Sequence, residues 1–294
     1  MTSPTQNLKW YLQISRPRFW FYLFGPFLLG LAAGIDQVGV TSNTILLLLV
    51  FGLFFLYPAN LLIYGVNDLF DYETDKNNPK KKAYESLIEP KNRQQFTINL
   101  LITVAPFTAL GGGLLASNGS YVALYSLAAF MFFGICYSTP PIRAKTKPFL
   151  DAFFNVLYIF PGFISYAIIT DSLPSWPVVI AATAWVMAMH AFSAVPDIDS
   201  DKKAGISTVA TVLGRQKTIL FCFLLYLLTS FSIDRVGGQI GLVFSYIAII
   251  YMLLMTIARH AKTDVSLFKV YRAFPVINVL VGAALFWGIF LLSN

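Results

Sequence analysis

Apolar stretches of about 17–25 residues, each long enough to cross a hydrocarbon core, follow one another along almost the whole of this 294-residue chain, with only short polar intervals between them. That pattern leaves little room for a fold built around a single water-facing surface. Charged residues make up 12% of the chain and hydrophobic ones 57%, whereas a soluble domain carries roughly 25% charged residues. The expected architecture is all-α. It is an integral membrane bundle of about nine transmembrane helices, forming one membrane domain over residues 1–294 without a soluble appendage.

The candidate spans are 18–34, 44–66, 97–116, 120–137, 150–170, 176–196, 218–233, 239–258 and 271–292. The intervals between them alternate in charge. Lys76, Lys80, Lys81, Lys82, Lys91, Arg93, Arg143, Lys145, Lys147, Lys202, Lys203, Arg215, Lys217, Arg259, Lys262 and Lys269 fall in one set, and Arg235 alone falls in the other. With Lys9, Arg16 and Arg18 ahead of the first span and Arg272 at the last, all but one of the 21 Lys and Arg residues share a face. By the positive-inside rule that face is cytoplasmic, which places the N-terminus inside and the C-terminus outside. The formal charge of +7 is accounted for by topology, and nucleic acid is not an expected partner. Cys136 and Cys222 lie within apolar runs, which argues against a disulfide or a cysteine metal site.

The longer intervals, 67–96 and 197–217, lie on the basic face, and function is expected there. The first opens with Asn67-Asp68-Leu69-Phe70-Asp71-Tyr72-Glu73-Thr74-Asp75. On a continued helix Asn67, Asp71 and Asp75 are spaced i, i+4, i+8, and Asp68 stands one turn before Asp71, so several carboxylates share a face. The second opens with Asp197-Ile198-Asp199-Ser200-Asp201, with Asp197 and Asp201 again at i, i+4. Asn67 and Asp71 stand at one common offset, across four helices, from Asp197 and Asp201. This suggests two four-helix repeats plus a ninth helix, enclosing a central cavity open to the cytoplasmic side. Hard oxygen ligands on two facing helix ends suit Mg²⁺, which commonly takes one or two carboxylates together with water and substrate phosphate oxygens. A diphosphate clamp follows, with Asn67, Asp71, Asp75, Asp197 and Asp201 as metal ligands and Asp68 beside them. The competing reading is a pair of solvated acidic helix ends.

A polar stripe runs inward from each cluster: Asn60, Tyr64, Asn67 and Asp71 on the second span, and His190, Ser193, Asp197 and Asp201 on the sixth. Both faces are expected to line one cavity that binds substrate, although Asn60 or His190 alone also suits interhelical hydrogen bonding. The loop Tyr137-Ser138-Thr139-Pro140-Pro141-Ile142-Arg143-Ala144-Lys145-Thr146-Lys147-Pro148 offers bases to neutralise a leaving diphosphate, or it carries ordinary positive-inside charge. In the fifth span Asp151, Asn155 and Tyr158 share a helical face, with Asp151 a candidate to orient a loop base. Aromatic residues are 16% of the chain; ring faces in an internal chamber stabilise a carbocation, though most serve belts and packing. No GxGxxG, Walker, HExxH or heme-attachment pattern is present in the sequence.

The NDxxDxxxD run at 67–75 and the DxxxD run at 197–201 resemble the paired signatures of the UbiA superfamily of intramembrane prenyltransferases. The YSTPPIRAKTKP loop at 137–148 and the Lys203–Thr208 stretch extend the likeness over nearly the whole chain. Within the superfamily, ISRPRFWFYLFGP at 14–26, YGVNDLFDYETDKNNPKKK at 64–82 and VPDIDSDKKAGISTVATVLG at 195–214 are most similar to the lycopene elongase branch. The resemblance implies Mg²⁺, dimethylallyl diphosphate as donor, and lycopene or a related carotenoid end as apolar acceptor, with hydration accompanying elongation in some members. Arg143, Lys145 and Lys203 then assist departure of the diphosphate. Tyr137, Tyr64, Asn60, His190 and Ser193 complete the substrate-binding set. The implied partners are the lipid bilayer and proteins of a carotenoid pathway.

Three alternatives remain at this stage. One is transfer to an aromatic quinone precursor, another a transporter of an anionic lipid or metabolite, and the third a non-catalytic subunit of a pathway complex. The transporter reading explains the repeat but not the crowding of carboxylates at one face.

Overall fold

The computed structural model describes residues 4–72 and 87–292. Among these residues the regular structure is helical, with no strand, as a hydrocarbon environment demands of a chain that must pair its own backbone groups. The α-helices are α1 (Pro4–Ile14), α2 (Phe21–Val38), α3 (Ser42–Leu56), α4 (Pro58–Phe70), α5 (Arg93–Ser117) and α6 (Tyr121–Cys136). They continue with α7 (Leu150–Phe153), α8 (Phe160–Thr170), α9 (Trp176–Ser193), α10 (Ile198–Lys203), α11 (Val209–Asp234), α12 (Gly238–His260) and α13 (Asp264–Leu292).

Among the described residues, seven helical stretches are long and apolar enough to cross a membrane, or eight if a bent pair counts as one span. One is the joined α3–α4 run, Thr44–Phe70. The bent pair is Leu150–Tyr158 with Phe160–Thr170, turned by 41°. The expected span 120–137 is the 16-residue α6, shorter than the rest. Many outward side chains are apolar: Leu49, Leu101, Leu253 and Leu280 are each more than half exposed, a surface that suits lipid tails.

Packing depends on close backbone approach between α2 and α8. A Cβ on Gly30 would stand 1.9 Å from the Gly162 carbonyl oxygen, and one on Gly162 would stand 2.8 Å from that of Pro26. Ser165 Oγ donates to the Phe27 carbonyl at 2.7 Å, an interhelical bond of the kind that small residues permit. Two cores result. The N-terminal one is dominated by phenylalanine, including Phe51, Phe54, Phe55, Phe96 and Phe130. The C-terminal one gathers Phe192, Tyr226, Tyr251, Met255 and Phe274, where α11 packs against α9 and α12.

Two corrections concern helix continuity. α4 ends at Phe70, with Asp71 as its C-cap at φ −107°, ψ 5°, so the acidic run does not continue as one helix through Asp71. Asp75, expected as a metal ligand, and Glu73 lie outside the described residues. Asn60, expected on the cavity face, instead serves the joint between α3 and α4. Pro58 has no N–H to continue the ladder there, and Asn60 Nδ2 donates to the carbonyls of Phe55 at 2.9 Å and Leu56 at 3.2 Å.

Candidate active site

The last turn of α4 presents Asn67 and Asp68, with Asp71 just past it, and three cations from distant parts of the chain converge on them. Arg16 donates from a guanidinium nitrogen to Asp68 Oδ1 at 2.8 Å, with Asp68 almost wholly buried. Lys145 contacts Asp71 Oδ1 and donates to Asn67 Oδ1 at 3.1 Å. Arg143 lies 3.7 Å from Asp71 Oδ1, and Ser138 Oγ donates to Asn67 Oδ1 at 3.0 Å. Arg16 and Arg143 both hold left-handed backbone, φ 51° and φ 42°, which is uncommon outside glycine and tends to mark sites that the surroundings over-determine. The loop bases expected from the sequence thus meet the first acidic motif.

The second motif is built differently. Val195–Asp197 is a single 3₁₀ turn, followed by the six-residue α10 carrying Asp199 and Asp201. Asp197 and Asp201 are half-buried, while Asp199, Lys202 and Lys203 are exposed. Gly205, at φ 68°, turns the chain toward α11, whose start is fixed by a reciprocal Thr208–Thr211 cap. Lys203, expected to assist the leaving group, is thereby an exposed helix-end residue.

Inward of the first motif lies a cavity of about 230 Å³. Tyr64 of α4 and His190 and Ser193 of α9 all line it, so the two polar stripes do meet, without Asn60 among the lining residues. Tyr64 Oη is 3.4 Å from Tyr158 Oη, and the Arg16 guanidinium lies over the Tyr64 ring at 4.9 Å, linking cavity wall to motif. Tyr137, at the end of α6, sets its ring edge-on to His190, centroids 6.0 Å apart. Ser193 Oγ donates to the His190 carbonyl at 2.7 Å.

Sequence reasoning missed the wall given by the last helix. Tyr271, Phe274, Pro275 and Asn278 line the cavity with Tyr22, and their i, i+3, i+4, i+7 spacing was a readable signal. Asn278 accepts from Tyr251 Oη at 2.6 Å and donates to Tyr22 Oη at 3.3 Å. Arg16 was also missed, having been counted only toward topology. Asp151 does not orient a loop base: its Oδ2 accepts from Val209 N at 3.0 Å.

Among the described residues no group of three or more His, Cys, Asp or Glu is arranged to hold a metal alone. The donor set is nonetheless of the right chemistry for Mg²⁺. Asn67, Asp71, Asp197 and Asp201 offer hard oxygens in small numbers, and this ion fills its remaining positions with water and phosphate oxygens.

The UbiA prenyltransferase family matches residues 20–274. A lycopene elongase/hydratase of Haloarcula japonica is 36% identical over 281 residues, covering 95% of this chain and 90% of that protein. One of Haloferax volcanii is 37% identical over 284 residues, covering 94% and 86%. A solved UbiA homologue of Archaeoglobus fulgidus, bound to dimethylallyl diphosphate and Mg²⁺, superposes with a TM-score of 0.69 at 21% identity, covering 96% of this chain and all of that one. The helical membrane architecture, the acidic motifs and these likenesses converge: the chain is an integral, multi-pass membrane prenyltransferase belonging to the UbiA family.

Proposed function

We propose that this enzyme transfers a five-carbon prenyl unit from dimethylallyl diphosphate to the apolar end of lycopene or a related carotenoid, with water adding to the product cation. The observation that carries this reading is the convergence of Lys145, Arg143 and Arg16 on the first acidic motif, beside a cavity walled by Tyr64, Tyr158, Tyr22 and Phe274. The names of the relatives from Haloarcula and Haloferax, lycopene elongase/hydratase, support the acceptor. The ligand of the Archaeoglobus homologue supports the donor and the metal.

Asn67, Asp71, Asp197 and Asp201, with Asp75 from outside the described residues, would hold Mg²⁺ beside the diphosphate site. When bound, the metal supplies Lewis-acid charge that stabilises the departing oxygen. Lys145 and Arg143 transfer part of their pairing from Asp71 to the phosphate oxygens, so positive charge is already in place as the allylic C–O bond breaks. The aromatic wall holds the allylic cation and keeps bulk water from it. The terminal double bond of the acceptor then attacks, forming the new C–C bond. The acidic motifs and the N-terminus face the cytoplasm, and residues 1–294 act as one domain.

Expression in cells that accumulate lycopene, followed by mass analysis of the pigments, tests the proposal. Products heavier by one or two five-carbon units are expected, and pigments left unchanged by an inserted, folded enzyme would sink it. In vitro, activity is lost with chelator and returns with Mg²⁺ or Mn²⁺; full turnover in excess chelator would remove the metal role.

A further inference from the structure

We infer that His190, facing the Asp151 carboxylate, takes the proton from the water that ends the reaction, a role that rests on the reading of transfer to a carotenoid end. Asp151 is fully buried. Its Oδ2 accepts from Val209 N at 3.0 Å and faces His190 Nε2 at 3.9 Å. Its other oxygen, Oδ1, is buried with no hydrogen-bond partner among the described residues. A residue needed only to cap the start of α11 would use one oxygen. A second carboxylate oxygen left without a partner in a hydrocarbon interior is costly, and a cation arriving alongside removes that cost.

His190 is the group placed to become that cation. It forms part of the cavity wall together with Asn155 and Ser193, so this wall offers a water the two to four polar partners that hold it in place. Asn155 Nδ2 donates to the Asp151 carbonyl at 2.6 Å, which fixes Asn155 to the same turn as the carboxylate. Asp151 lies on the Nε2 side of the ring at 3.9 Å, so a proton on Nε2 sits toward the carboxylate and leaves the Nδ1 lone pair as the base.

The step balances as follows. Attack of the acceptor's terminal π bond on the allylic carbon leaves a tertiary cation on the acceptor. A lone pair of the water oxygen forms the C–O bond, one O–H bond breaks with its electrons returning to oxygen, and the proton passes to the His190 imidazole. The imidazolium is then balanced by Asp151, and the proton leaves later to solvent or to the released diphosphate. His190 is the catalytic residue of this step, and Asp151 is its positioning residue.

The experiment uses purified full-length enzyme in lycopene-containing vesicles with dimethylallyl diphosphate, Mg²⁺ and oxygen-18 water. Wild type is expected to add five-carbon units whose alcohol carries the label. In His190→Gln, with His190→Asn run in parallel in case the longer side chain does not pack, the alcohol-to-alkene ratio of the elongated product falls at least about tenfold, since a lost general base costs about 10²–10⁴-fold and bulk water replaces part of it. Asp151→Asn, which keeps an acceptor for Val209 N–H, lowers the ratio less, and Asp151→Glu restores it. An unchanged ratio in both His190 variants, wild-type product without label, or loss of all elongation in folded His190 variants overturns the assignment. Failure of wild type to add any five-carbon unit defeats the parent reading instead, and is seen separately.

Discussion

The two acidic motifs look alike as strings of residues and differ as structures. In the first, Asp68 is buried against Arg16 and Asp71 is held between Lys145 and Arg143, so its charges are balanced by side chains from two separate stretches of chain. In the second, Asp197 and Asp201 are half-buried on a 3₁₀ turn and a six-residue helix, beside the exposed Lys202 and Lys203. Equal ligand chemistry is therefore embedded in unequal surroundings. A substitution in the first motif disturbs both the metal–diphosphate site and the packing around it, whereas one in the second chiefly disturbs the site.

The sharpest test of that contrast removes one carboxylate from each motif. Asp71→Ala and Asp197→Ala should each lower turnover by at least about 10³, since each deletes a proposed metal ligand worth several kcal/mol of transition-state charge stabilisation. Both should still insert. They part in thermal stability in detergent: Asp71→Ala removes the carboxylate that Lys145, whose side chain is 11% exposed, contacts at the end of α4, and should melt earlier than Asp197→Ala. Equal melting temperatures would mean that the first motif is no better embedded than the second.

Arg16→Ala comes next in size. It removes the guanidinium paired with Asp68, whose side chain is 1% exposed, and breaking a buried pair from one side costs about 3 kcal/mol. Denaturant unfolding of the purified protein checks this, and a loss below about 1 kcal/mol would show that the pair is dispensable. This partnership was not legible in the sequence. Arg16 is one of several basic residues ahead of the first span, and a pairing that reaches across from α1 to α4 leaves no local pattern. The motifs themselves, the loop bases and the helical spans were legible, because charge in an apolar chain is conspicuous and periodicity is local. The broken span at Leu150–Thr170 reads as one helix, although its bend falls between the 3₁₀ segment Phe154–Tyr158 and a helix with Pro161 in its first turn, where proline cannot continue the preceding hydrogen-bond ladder.

Asn60 shows the converse error, a polar residue with the right periodicity and a different task. Its register matches Tyr64 and Asn67, yet Pro58 two residues earlier opens the helix and Asn60 turns to the carbonyls there. Asn60→Leu should cost about 1–2 kcal/mol through the lost hydrogen bonds and leave the distribution of prenylated products as in wild type. A changed product distribution at wild-type stability would return Asn60 to the substrate wall.

The smallest expected effect belongs to Lys203, and it probes the comparison from the open side. Lys145 and Lys203 both follow from the sequence as bases near a leaving diphosphate, but only Lys145 is enclosed, contacting Asp71 and Asn67, while Lys203 ends α10 exposed to solvent. An exposed lysine gains little from a pairing that water and salt screen, and surface substitutions seldom move free energies far. Lys203→Ala should therefore keep kcat/KM for the donor within about threefold of wild type, with the residual effect shrinking as ionic strength rises from low to physiological. Steady-state kinetics at two salt concentrations reads both features. A loss of tenfold or more that persists at high salt would mean that Lys203 reaches the diphosphate directly, and the second motif would then carry its own enclosed cation once substrate is bound, erasing the asymmetry between the two.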